Sequence, residues 1–114
     1  MTINRRPGES LVVTPKKEGG SISLHVLDID LEGRTIEVKG PRKTATLSVG
    51  QIFSPAEGME FKVLRVHTSQ YSLTRGNPEV VLSFNADAPY FIDRGEVYRK
   101  NPDAARRYHF ERGI

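Results

Sequence analysis

Alternation with a period of two constrains this chain more than any other feature. Ile22, Leu24 and Val26 are separated by Ser23 and His25, and Ile36 and Val38 by Glu37, flanked by Thr35 and Lys39. Successive side chains of a strand point to opposite faces, so this pattern gives strands with one buried and one wet face. The run Phe61 to Val66 reads as a further strand, and Val80-Val81-Leu82-Ser83-Phe84 as one buried on both faces. Glu32-Gly33, Gly40-Pro41, Gly58 and Gly76-Asn77-Pro78 break the runs as turns. Short strands at this spacing predict an all-β sandwich or barrel.

Helix is expected only at the C-terminal end. Asp93 followed by Glu96 has capping-box spacing, and Pro102 suits the first position of a second helix. Ala104 to Arg112 favours helix, with Gly113 able to close it. From Arg94 onward six Lys/Arg face three acids, so residues 101–114 are expected to form a short basic helical tail.

With 114 residues, the chain is long enough for a single compact domain or two very small fused units. An internal repeat favours the second arrangement. His25-Val26-Leu27-Asp28-Ile29 matches Lys62-Val63-Leu64-Arg65-Val66, Ile36/Val38 match Leu82/Phe84, and Gly50-Gln51-Ile52-Phe53 matches Gly95-Glu96-Val97-Tyr98. The expected copies are residues 1–54 and 58–100, joined at Ser54-Pro55-Ala56-Glu57-Gly58.

Several chemistries are set aside. There is no cysteine, hence no disulfide or thiolate chemistry. His25, His67 and His109 share no ligand spacing, and Asp28, Asp30 and Glu32 read as a solvated strand end, so no metal or cofactor is expected. No order of nucleophile and base stands out, and the expectation is a protein that is not an enzyme. No apolar run reaches membrane-span length and no signal pattern opens the chain, which makes a cytoplasmic location the expectation. The charge of 17 Lys+Arg against 14 Asp+Glu is only mildly basic. Where those cations sit matters more than their sum.

Two basic signatures stand far apart: Asn4-Arg5-Arg6-Pro7-Gly8-Glu9-Ser10-Leu11, and Asn85-Ala86 followed by Ile92-Asp93-Arg94-Gly95-Glu96-Val97-Tyr98. The first resembles the R-R-x-G-E-x-L opening of the carbon storage regulator (CsrA/RsmA) family of bacterial RNA-binding translational regulators. The second is similar to that family's closing segment, with Arg94 at its RNA-binding arginine and Glu96-Val97-Tyr98 at its E-I-Y. Together they cover roughly half of the chain.

The resemblance implies a small swapped-strand β-fold. It also implies an RNA site made of Ile3, Asn4, Arg5, Arg6, Ala86, Asp87, Ala88, Ile92, Asp93 and Arg94, binding GGA-type loops in mRNA leaders or small RNAs. Guanidinium forks suit this chemistry, because they can bind phosphate bidentately or read a guanine edge. Single-stranded loops expose such edges, whereas an A-form duplex hides them. Departures from the pattern are Asp93 where a neutral or basic residue is usual, Gly95 where an acid is common, and Ala86-Asp87-Ala88 in place of A-P-K.

Family members are swapped homodimers whose site pairs the first strand of one subunit with the last of the other. With Val49 aligned to Arg94, one chain is expected to act as a pseudo-dimer with one working site. The competing arrangement is a homodimer of a single unit with a long insertion. Two other readings are weighed, a β-barrel protein-interaction module and a cyclic-dinucleotide-binding domain of the PilZ type, the latter from Arg5-Arg6 with Thr46-Leu47-Ser48-Val49-Gly50. Tyr90, Phe91, Tyr98, Tyr108 and Phe110 could stack on bases, although core packing is the commoner role.

Overall fold

The structure, a computed structural model, describes residues 1–17, 19–69, 76–85 and 89–100, with Arg99 and Lys100 described by backbone alone. Among the described residues, nine strands follow one another before one short helix: β1 (Thr2–Arg5), β2 (Ser10–Pro15), β3 (Ile22–Asp30), β4 (Thr35–Lys39), β5 (Thr44–Ser48), β6 (Ile52–Ala56), β7 (Met59–Thr68), β8 (Pro78–Phe84), β9 (Tyr90–Arg94) and α1 (Gly95–Lys100). They form two antiparallel sheets, in the orders β1-β8-β7-β6 and β5-β4-β3-β2-β9. The all-β class expected from the alternation is what the chain adopts.

The alternating residues do what their spacing predicts. Leu24, Val26, Ile36 and Val38 from one sheet meet Phe61, Val63, Val80 and Leu82 from the other in a common core. Phe61 sits at its centre, stacked on Phe53 at 5.3 Å between centroids and tilted against Phe84 at 5.8 Å. Burying each such side chain stabilises by about 1.5–3 kcal/mol. Strand β2 is buried on both faces from Ser10 to Thr14. Its inward residues Leu11 and Val13 join the core, while α1 lies against it.

A repeat is present in the geometry. The β3–β4 and β7–β8 ladders each shift register at one place, between Val26 and Asp28 in the first and between Val63 and Arg65 in the second. The sequence match pairs these same residues. The turn Arg6 to Glu9 is duplicated by Ser48 to Gln51. In the first, the Gly8 and Glu9 amides donate to the Val26 and Arg6 carbonyls. In the second, the Gly50 and Gln51 amides donate to Val63 and Ser48. Gly8 and Gly50 have φ of 88° and 93°, a backbone conformation that glycine adopts without steric cost.

The side chains follow suit, with the Arg6 amide donating to Glu9 and the Ser48 amide to Gln51. By these bonds β5 corresponds to β1, as the opening strand of the second unit. Gly50–Phe53 corresponds to Gly8–Leu11, and not to Gly95–Tyr98 as the sequence match suggested. The repeated unit is thus β1–β4 against β5–β8. β1 pairs with β8, and β5 pairs with β4.

Helix α1 begins at Gly95, directly after β9. Asp93 therefore lies within β9, opposite Val12, and the position preceding the helix belongs to Arg94. The expected capping box is replaced by a strand that continues to the helix start. The second helix expected after Pro102 and the basic tail lie outside the described residues.

Candidate nucleic-acid interface

Strand β1 is the edge of one sheet and β9 the edge of the other. Arg5 joins them. It is the last residue of β1, opposite Val80 on the inward side, and only 5 % exposed. Its Nη1 and Nη2 donate to the two carboxylate oxygens of Glu96 on α1, at 2.8 and 3.1 Å. Nε donates to the Asn4 carbonyl at 2.7 Å, and Nη1 also to the Ser10 carbonyl at 3.3 Å. A fork held this way is a structural clamp between the opening strand and the closing helix.

The clamp sets the electrostatics. Glu96 is lowered to about 2, first by the hydrogen bonds from Arg5, against the opposing effect of burial, with further help from the charges of Arg5 and Arg94. Arg94 is exposed at the end of β9, opposite Leu11 of β2. One guanidinium thus holds the joint closed while a second, close enough to act on the same carboxylate, stands at the surface.

Helix α1 is seated by small contacts on the outer side of β2. A Cβ placed on Gly95 would collide with the Ser10 hydroxyl, so glycine permits the helix to start this close to β2. Tyr98 shares a hydrogen bond with Ser21 at 3.2 Å, and Ser21 another with Thr14 of β2 at 3.0 Å.

The remaining expected site residues divide clearly. Arg6 is half-exposed. Its side chain pairs with Glu9 at 3.3 Å, and it lines an open depression with Pro7, Gly8, Glu9, Asn77 and Pro78. Asn4 is exposed on β1 and donates from Nδ2 to Glu79 at 3.1 Å. Ile3 and Ile92 are half-buried and pack against the core. Asp93 is half-buried and engaged within the protein. Ala86, Asp87 and Ala88 lie outside the described residues.

The sequence reading missed two partners: Glu96, read there as a helix cap and as part of the closing motif but not as the partner of Arg5, and Glu79, which accepts from Asn4 and lies 3.0 Å from His67 Nε2. Glu79 carried a signal, being the one charged residue in a mostly apolar strand.

Of the aromatic candidates, Tyr90 donates to the Glu57 carbonyl at 2.7 Å and Phe91 lies beneath Lys16 Nζ, 5.3 Å from the ring centroid. Tyr108 and Phe110 lie outside the described residues. Among the described residues no group of three His, Asp or Glu side chains is placed to hold a metal ion, and no helix is long and apolar enough to cross a membrane. No protein-family model, curated protein or solved structure matches this chain.

Proposed function

We propose that the chain is a non-enzymatic, cytoplasmic RNA-binding regulator of translation. In this reading it takes a GGA-type single-stranded loop of an mRNA leader or small RNA at one site, and works as a single-chain pseudo-dimer. The observation that carries the reading is the Arg5–Glu96 clamp. It ties the opening strand to the helix that directly follows the last strand, two ends of the chain that the resemblance to the carbon storage regulators brings together, and Arg94 is exposed at the end of that last strand.

The roles within the site differ from residue to residue. Arg94 and the half-exposed Arg6 are the phosphate- or base-binding cations. Arg5 holds the strands that carry them. Both β1 and β9 are sheet edges, and edge backbone groups can read the base edges of an unpaired loop.

The exchange of opening strands between two repeated units is the single-chain counterpart of a swapped dimer. Only one opening strand carries arginines, because Leu47 and Ser48 occupy the places of Arg5 and Arg6 in the second unit. Strand β9 flanks β2 in the first unit, while β6 has no strand beyond it among the described residues.

The reading is tested by titrating a labelled GGA-loop hairpin and a scrambled-loop control over a range of salt. Tighter binding to the GGA loop, weakening linearly on a log–log plot against salt, is expected. Absence of binding to either RNA overturns the reading and leaves a protein-interaction module in its place.

A further inference from the structure

Outside the clamp, the outer side of the first sheet holds a polar cluster built around one carboxylate. Glu79 is 8 % exposed and projects from β8. Its Oε1 accepts from Asn4 Nδ2 at 3.1 Å and lies 3.0 Å from His67 Nε2. The register explains the meeting. Asn4 pairs with Val81, Glu79 lies two residues along β8 on the same side, and His67 pairs directly with Glu79.

The consequence for Asn4 is chemical. A carboxamide can usually turn either its NH₂ or its oxygen outward, with little to choose between them. An ionised carboxylate can only accept, so Glu79 requires the NH₂ to face it. The Oδ1 of Asn4, on an exposed edge-strand residue, accepts no hydrogen bond from any described residue. It is held as an acceptor directed away from Glu79.

The equivalent place in the second unit lacks this device. There Thr46, Thr35 and Asp30 stand where Asn4, Glu79 and His67 stand, by the matching registers of the two units. The cluster therefore accompanies only the opening strand that bears arginines.

We propose that Glu79 is a positioning residue that fixes Asn4 as a hydrogen-bond acceptor for a donor on the bound RNA, an exocyclic base amine or a ribose 2′-hydroxyl. The proposal rests on the RNA-binding reading and adds to it a selectivity of the opposite kind to that of the arginines. A guanidinium only donates, whereas a fixed acceptor distinguishes nucleotides that present a donor from those that do not.

The test uses the full chain and GGA-loop hairpins changed one position at a time: inosine for guanosine, purine riboside for adenosine, and 2′-deoxy sugars. With wild type, one substitution is expected to weaken binding three- to tenfold, the effect of one net hydrogen bond. The base and sugar arms tell the two donor types apart.

Asn4→Ala should bind the parent and the substituted hairpin equally. Glu79→Gln, whose amide can offer either an NH₂ or an oxygen, should shrink the difference by releasing Asn4 to turn. A purely structural role for Glu79 would lower affinity for all hairpins together and leave the difference intact. If wild type binds the parent hairpin but tolerates every substitution, or if Glu79→Gln discriminates as strongly as wild type, the proposal is overturned while the RNA reading stands. If wild type binds no hairpin, both fall. Asn4 is exposed, so its alanine variant keeps the test decisive should Glu79→Gln fail to fold.

Discussion

Arg5 and Glu96 form an unequal pair: the arginine side chain is 5 % exposed and the glutamate 41 %. Removing either partner strands the other, and the stranded group suffers according to its burial. Glu96→Ala leaves a buried guanidinium with the Asn4 and Ser10 carbonyls and the Glu9 carboxylate 3.9 Å away, and should cost about 1–3 kcal/mol. Arg5→Met keeps an apolar stem in place and leaves behind a carboxylate that can reach water, so it should cost less. Urea unfolding of the two variants measures this order, and a reversal would contradict the clamp geometry.

The same pair gives a pH dependence. The Glu96 carboxyl is lowered from 4.5 to about 2 in the folded protein, so the folded state binds its proton less readily than the unfolded chain does. Its stabilising contribution is complete above pH 4.5 and disappears as pH falls from there through about 2. Over that window wild type should lose stability more steeply than Glu96→Gln, which has no such proton to take up. Parallel acid-unfolding curves would refute this.

At the scale of elements, α1 depends on its close start against β2. Gly95→Ala puts a methyl group where the Ser10 hydroxyl lies. Overpacking of this kind costs about 1–3 kcal/mol. Thermal melts should show the loss, and Ser10→Gly in the same chain should recover part of it. An unchanged melting temperature for Gly95→Ala alone would mean that α1 is not seated as described.

Elements were legible in the sequence to very different degrees. β3, β4, β7 and β8 could be read because their apolar and polar residues alternate against a single core. β5 was hidden, because Thr44-Ala45-Thr46-Leu47-Ser48 offers little apolar contrast and lacks the arginines of β1. Its identity emerges only from hydrogen bonds that copy the turn at Gly8. The likeness of Gly50–Phe53 to Gly95–Tyr98 misled because four residues of similar type can form a turn entering a strand in one place and a helix in another. The joining of Arg5 to Glu96 was not legible either. It spans 91 residues of sequence and depends on which sheets receive β1 and β9.

For the whole molecule, β1 pairs with β8 and β5 with β4, and the two sheets are unequal in what they display. Arginines open only the first unit, and β9 with its exposed Arg94 flanks only β2. The expected stoichiometry is one hairpin per chain, read by calorimetric titration. Two hairpins per chain would mean that the β5–β6 side also binds, against the assignment of the basic residues.

The central claim is that the surface around the joint of β1 and α1 binds RNA through Arg94. A mobility-shift titration of a GGA-loop hairpin against wild type and Arg94→Ala tests it directly, with urea unfolding confirming that the exposed substitution leaves the protein folded. The account predicts that Arg94→Ala weakens binding by about 1–3 kcal/mol, roughly 5- to 150-fold. Equal affinity of the two proteins for the hairpin would contradict it.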